Sequence, residues 1–170
     1  MEFQVSSDPY APRAARARVA TLAGVLEVLL DLVAGAGGPP PPELARSVLE
    51  MRASIGIDAA RRCAERAGDR EALAAAAERA ASLVGHAEAL DDAYAELWRA
   101  VVDGSGNVAY RLALNSLVAA LDAHPDVAAL VRPGDAAAIR ALGEALRAGD
   151  PDAAAARARA LLEPDAAAFG

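Results

Sequence analysis

Tyr94 and Trp98 lie four residues apart in the run DDAYAELWRAVVDGSGN, which spans residues 91–107. Residues at this spacing share one face of a helix, and the apolar positions of the run favour a helix here. An Asp and a His at the same spacing would make a metal-binding pair, whereas two aromatic rings offer a metal ion no suitable donor. The run therefore has the spacing of a metal site without its ligands.

Few other side chains are suited to catalysis. His86 and His124 have no ligand-like partner at helical spacing, and we interpret them as surface or cap residues rather than ligands. Cys63 lies in an apolar stripe, which favours a buried structural thiol over a nucleophile. Asp91 and Asp92 point to different faces of one helix. No serine lies in a nucleophile elbow, and the GSGN turn does not follow a strand, so we predict that the chain is not an enzyme.

Arg52 is the cation that the helical pattern places among inward-facing residues. A buried guanidinium needs an anion, and the carboxylate or phosphate of a ligand would supply one. An internal salt bridge or a side chain that reaches out to solvent would serve equally well. The inward stripe comprises Leu44, Val48, Arg52, Ile55, Ala59 and Cys63.

A polar row follows the GSGN turn. Asn107, Arg111 and Asn115 recur every four residues beside Val108 and Leu112, so they share one side of the next predicted helix. The row faces either a ligand or water, and the pattern favours water.

The composition predicts an all-α chain. Hydrophobic residues make up 55% of the 170 residues and aromatic residues only 4%, because alanine, the strongest helix former, supplies the difference.

The net charge is -7, and the only basic cluster (Arg13, Arg16, Arg18) is close to the N-terminus. We therefore expect no DNA binding by this chain unaided. A single cysteine fits a reducing cytoplasm, and the apolar run from Val19 to Gly35 is too short and too charged to span a membrane.

Glycine, proline and capping residues at regular intervals predict an antiparallel bundle of seven or eight helices with short connections. Residues 1–10 form a tail or linker remnant, residues 11–165 the bundle, and residues 166–170 a second tail. The run from Pro39 to Pro42 is interpreted as a stiff connector, with polyproline recognition as the alternative. The predicted helices span about 12–33, 43–67 with a possible kink at Gly56, 69–86, 88–103, 107–123, a short segment from 125, 135–148 and 152–162.

Three stretches resemble one family. They are SVLEMRASIGIDAARRCAERAGDREAL, DDAYAELWRAVVDGSGN and EALRAGDPDAAAARARALL, and they occur in the family's order within residues 43–162. They resemble the C-terminal effector-binding (FCD) domain of FadR-type regulators in the GntR family. The SGN and AGD turns are the most specific marks. The resemblance implies a helical bundle that binds a small acidic metabolite, pairs with an N-terminal winged helix that binds DNA, and forms a homodimer.

The resemblance also locates the family's metal site, which uses Asp and His ligands in most members. By motif alignment, ligand places of that site fall on Tyr94, Trp98, Ile139 and Leu161, and one His place stays unaligned. All four aligned side chains are apolar or aromatic, so the resemblance implies a metal-free, apolar cavity with no cofactor. The fatty-acid-responsive namesake has the same departure and binds a long acyl-CoA. A winged helix does not fit before residue 20, so we expect a trimmed protein or an effector domain that stands alone.

Two functional hypotheses follow. The favoured one is a ligand-sensing and dimerising domain of a transcription regulator whose metal-free pocket takes an acyl-type or other apolar carboxylate. The alternative is a stand-alone helical dimerisation or interaction module whose cavity is filled by its own side chains. For the first hypothesis, Arg52 would bind the acidic end of the ligand. The predicted ligand-binding residues are Arg52, Tyr94, Trp98, Tyr110, Asn115, Ile139 and Leu161.

Overall fold

The computed structural model describes residues 42–123 and 125–167. The N-terminal tail, the first predicted helix, most of the proline run and His124 lie outside the described residues, as do residues 168–170. The described residues form seven helices and no strand. The helices are α1 (Pro42–Arg66), α2 (Arg70–Ser82), α3 (Ala87–Gly104), α4 (Val108–Ala123), α5 (Pro125–Leu130), α6 (Ala136–Ala148) and α7 (Pro151–Ala167). The predicted all-α fold class is confirmed.

Side-chain caps fix where several helices begin. The Asp69 carboxylate accepts a hydrogen bond of 2.9 Å from a backbone N–H in the first turn of α2. Asp135 accepts two such bonds at the start of α6, of 2.8 and 3.1 Å. Asn107 caps α4 through a bond of 3.1 Å from the Ala109 N–H. Each cap satisfies a backbone donor that the first helical turn leaves without a partner, which explains why local sequence predicted these starts.

Two helix ends differ from the sequence-based boundaries. α2 ends at Ser82 rather than near residue 86, because Leu83 and Val84 donate to the carbonyls of Ala80 and Ala81 three residues back and close a tighter final turn. Gly85 follows with a φ of 98° and redirects the chain towards α3. α7 continues to Ala167 through Pro164. A proline in the last turn removes only one backbone hydrogen bond, so the helix tolerates it. The extension brings Asp165 into α7.

The helices pack around a core made mostly of alanine and leucine. α1 packs most extensively against α7, and α2 against α6, while α3 contacts both α1 and α2. Small residues let the helices approach closely: a Cβ atom at Gly143 of α6 would lie 2.5 Å from the Cβ of Ala77 in α2. None of the seven described helices combines the length and apolar content needed to cross a membrane. The largest fully buried apolar side chains are Leu90, Leu97, Ile139, Leu142, Leu146, Leu162, Val101 and Cys63.

Candidate ligand-binding cavity

A cavity of about 110 Å³ lies between α1, α3, α4 and the end of α7. Most of its wall is apolar, and α4 contributes five of the lining residues. Arg52 and Asp91 are the two charged residues of this wall. The lining residues are Met51, Arg52, Ile55, Gly56, Asp91, Tyr94, Ala95, Trp98, Val102, Ala113, Leu114, Leu117, Val118, Leu121 and Leu162.

Gly56 allows α1 to approach the aromatic wall of the cavity. A Cβ atom at this position would lie 2.4 Å from Cδ1 of Leu162 and 3.4 Å from Cζ3 of Trp98. α1 runs unbroken through this residue. The glycine predicted as a possible kink therefore provides space for Trp98 and Leu162 beside the helix backbone.

Tyr94 and Trp98 pack against each other, as expected for two residues that share one face of α3. Their ring centroids are 6.1 Å apart with an interplanar angle of 89°, an edge-to-face arrangement that aromatic pairs favour. Both side chains are buried, with 7% and 6% of their surface exposed. Burial raises the pKa of the Tyr94 hydroxyl, opposed by the nearby Arg52 guanidinium. Among the described residues, the Tyr94 hydroxyl and Trp98 Nε1 have no partner in hydrogen-bonding geometry.

Arg52 forms an ion pair with Asp165, at the end of α7. The pair is largely buried, with 9% of the Arg52 side chain and 14% of the Asp165 side chain exposed. Burial raises the pKa of Asp165, and the positive charge of Arg52 opposes that shift. Of the alternatives that the sequence left open, the structure therefore shows an internal salt bridge, formed by a guanidinium that also lines the cavity.

A second ion pair lies at the cavity wall. Asp91 of α3 accepts two hydrogen bonds from Arg132, of 2.7 Å from Nε and 2.6 Å from an Nη atom. Arg132 lies in the connection between α5 and α6, which this bond ties to α3. Neither Arg132 nor Asp165 was predicted from sequence, because each is far from its partner in the chain. The apolar side of α4, with Leu114, Leu117 and Leu121 at helical spacing, could have been recognised.

The remaining predicted site residues are not brought to this cavity. Tyr110 donates a hydrogen bond of 2.6 Å to Asp58, away from the cavity lining. Asn115 is exposed on α4. Ile139 and Leu161 are buried, with 0% and 8% of their surface exposed, but neither is among the lining residues. Of the seven predicted residues, the structure thus places three in the wall, Arg52, Tyr94 and Trp98.

The four aligned metal-ligand positions do not fit a metal ion. Tyr94 is a buried phenol whose raised pKa keeps it protonated, and Trp98, Ile139 and Leu161 provide no donor atom. Within residues 42–123 and 125–167, no group of three or more His, Cys, Asp or Glu side chains could hold a metal ion. The prediction of a metal-free protein stays a prediction, supported by this donor set.

Cys63 has the environment of a structural thiol. It has no exposed surface, and burial raises its pKa to about 11, so the thiol stays protonated at neutral pH. Its Sγ atom packs beside Gly104, where a Cβ atom would lie 2.5 Å away. A thiol is a poor nucleophile unless it is deprotonated, so Cys63 is not suited to covalent chemistry here.

A comparison with protein-family models identifies the class of this molecule. The model of the FCD domain matches residues 47–164, which is most of the described chain. The chain therefore belongs to the FCD family, the C-terminal effector-binding domain of GntR-family regulators. Proteins of this family are transcription regulators rather than enzymes. No curated protein and no solved structure matched the chain in the other two comparisons.

Proposed function

We propose that this chain is the ligand-sensing and dimerising domain of a GntR-type transcription regulator, and that the cavity beside Trp98 is its effector site. The observation that carries the proposal is the position of the cavity. Its wall contains Tyr94 and Trp98, which the sequence resemblance aligns with metal-ligand places of the family. The proposal therefore places the effector in an internal space whose wall has aromatic rings at these two positions.

The volume of the cavity limits what it can bind without rearrangement. An engineered apolar cavity of about 150 Å³ in another protein holds one benzene molecule. At about 110 Å³, the cavity in this chain suits an apolar group about the size of one ring. The long acyl chain of an acyl-CoA, which the resemblance suggested, is much larger and would require α4 to move outward.

Two ligand chemistries suit an apolar cavity whose wall contains one guanidinium. One is the apolar carboxylate predicted from the sequence, with Arg52 binding its acidic end. The other is an uncharged apolar molecule that leaves the pair of Arg52 and Asp165 intact. In both cases the free energy of binding comes mainly from the removal of apolar surface from water.

α4 is the element through which a ligand could act on the rest of a regulator. It supplies Ala113, Leu114, Leu117, Val118 and Leu121 to the cavity wall, yet none of its described residues is fully buried. A ligand in the cavity would add apolar contacts to this weakly packed helix and favour one position of it. The proposed dimer would cover apolar surface, and Val108, Leu112 and Leu130 are large apolar side chains exposed on α4 and α5.

A binding experiment with a cavity-filling variant tests the proposal. Ring-sized and short acyl compounds are screened for a rise in Tm and for a shift of the indole N–H resonance of the chain's single tryptophan, Trp98. A ligand at ten times its Kd should stabilise the protein by about 1.4 kcal/mol, or a few degrees in Tm. Ala113→Phe should fill the cavity and abolish both responses. Ala119→Phe, on the exposed side of the same helix, is the matched control and should keep them.

The same preparation tests the metal-free part of the proposal. Elemental analysis should show no stoichiometric divalent metal, because the four aligned positions hold no suitable donor. One equivalent of zinc or a similar ion would contradict it. If no compound stabilises the wild type, the alternative of an interaction module without an effector is the better description. If a compound binds and Ala113→Phe leaves its binding unchanged, the cavity beside Trp98 is not the effector site.

A further inference from the structure

The charges at the cavity wall are already neutralised within the protein. Arg52 is paired with Asp165, and Asp91 is paired with Arg132. Both charged residues of the wall thus have a partner of opposite sign that is not itself part of the lining. A ligand that enters meets an apolar wall with no net charge to balance.

A ligand carboxylate would meet an unfavourable arrangement at Arg52. It would have to share one guanidinium with Asp165, which places two carboxylates around a single cation in a mostly buried site. Only 14% of the Asp165 side chain is exposed, and this burial disfavours its negative charge and raises its pKa. A second carboxylate would lose its hydration and repel the first, so its transfer from water would be costly.

We infer that Asp165 determines the specificity of the cavity: by occupying Arg52 it excludes carboxylates and leaves an effector site for an uncharged apolar ligand. This inference rests on the proposed function, because it assumes that the cavity is the effector site. The sequence suggested that Arg52 binds the acidic end of a ligand, and in the structure the Asp165 carboxylate occupies that position beside Arg52. Removal of its charge should leave Arg52 free to bind an anion.

Three probes with the same number of non-hydrogen atoms separate charge from shape. Isopropylbenzene, acetophenone and benzoate each carry a phenyl ring and a three-atom substituent that is a hydrocarbon, a ketone and a carboxylate, respectively. Wild-type protein should bind the two uncharged probes at least about tenfold more tightly than benzoate. The Trp98 indole resonance and the Tm report binding in every case.

Two variants and a control test the role of Asp165. Asp165→Asn should increase the affinity for benzoate by about ten- to a hundredfold, as a hydrogen-bonded charge pair allows, and should leave acetophenone binding unchanged. The double variant Arg52→Met/Asp165→Leu removes both charges and should keep the preference for uncharged probes. Glu78→Gln breaks an exposed ion pair with Arg140 elsewhere and should change none of these affinities. Asp165→Ser removes the same charge and serves if Asp165→Asn does not fold.

The outcomes separate the inference from the proposed function. If wild-type protein binds benzoate as tightly as acetophenone, or if loss of the Asp165 charge gives no gain for benzoate, the inference is overturned and the cavity remains an effector site. If none of the three probes binds to any of the proteins, the inference is overturned, and the proposed function is overturned with it when no ring-sized or short acyl compound of the wider screen stabilises the wild type.

Discussion

Two side-chain pairs characterise the cavity wall: the rings of Tyr94 and Trp98, and Arg52 with its partner Asp165, which lies outside the lining. The first pair is an edge-to-face contact of two rings, at positions that the sequence resemblance aligns with metal ligands. The second pair neutralises the one cation of the wall. At the scale of single residues, the wall is therefore apolar and aromatic, and its one cation is neutralised within the protein.

Tyr110 provides a test of residue-scale electrostatics away from the cavity. Its hydroxyl donates to Asp58, and this bond, together with Arg62, lowers the pKa of Asp58. The folded-state pKa lies below the usual value of 3.8, so this stabilisation is present above about pH 4 and is lost as pH falls through the folded-state pKa. Tyr110→Phe should therefore lower the free energy of unfolding at pH 7 by about 0.5–1.5 kcal/mol, and by less at pH 3.

Tyr94→Phe is the matched control for this change. The Tyr94 hydroxyl is buried and has no hydrogen-bond partner among the described residues, so its removal should cost little or even stabilise the fold. Urea unfolding of both variants at pH 7 and pH 3 makes the comparison. An equal loss in the two variants, or a loss for Tyr110→Phe that does not depend on pH, would contradict the assignment.

Close approach of the helices depends on small residues at particular positions. Gly56 brings α1 against Trp98 and Leu162 at the cavity, and Gly143 brings α6 against α2. Beside Gly56, the Cδ1 end of the Leu162 side chain can shift to another position. Beside Gly143, the Cβ atom of Ala77 is fixed to its backbone and cannot. The contact of α2 with α6 should therefore tolerate an added methyl group poorly.

Gly143→Ala tests that contact. Helix propensity alone would make the substitution stabilising by about 1 kcal/mol. The added Cβ atom would lie 2.5 Å from the Ala77 Cβ atom, so α2 and α6 must separate, and such overpacking costs about 1–3 kcal/mol. We expect a net loss of stability and a lower Tm by calorimetry.

Gly134→Ala is the control for this change, because no atom lies within 4 Å of its added Cβ atom. A Tm that falls equally for both variants would rule out the steric explanation.

At the scale of the whole molecule, net charge opposes a direct role in DNA binding. The chain carries -7 at neutral pH, and its cations within the described helices mostly pair with carboxylates, as in Arg61 with Asp152 and Arg79 with Glu96. A protein that neutralises DNA phosphates needs a dense unpaired basic surface. The acidic net charge and the paired cations of the described helices therefore do not favour contact with DNA phosphates.

We expect the 170-residue chain to bind DNA weakly or not at all. Electrostatic repulsion between an acidic protein and phosphates should leave no more than nonspecific binding at physiological salt. A gel shift with operator-like and random duplexes provides the measurement. Sequence-specific binding at nanomolar concentration would overturn this prediction, and ligand-dependent binding would reassign the role of the domain.

Local sequence determined most of the helix boundaries and three residues of the cavity wall, Arg52, Tyr94 and Trp98. Asp69, Asp135 and Gly149 marked helix ends because caps and left-handed turns act through neighbouring backbone groups. The spacing of Tyr94 and Trp98 placed both rings on one face of α3, since a helix repeats about every 3.6 residues. These interactions span only a few residues, so they can be recognised without knowledge of the packing.

Only the tertiary structure decided which groups meet at the cavity. Arg52 needed an anion, but its partner lies 113 residues further along the chain, at the end of a helix that extends beyond its predicted boundary. Leu161 and Leu162 are both buried, yet Leu162 alone lines the cavity, because adjacent helix residues point about 100° apart and the rotation of α7 against α1 selects one of them. Such choices depend on how whole helices pack, and no local pattern contains that information.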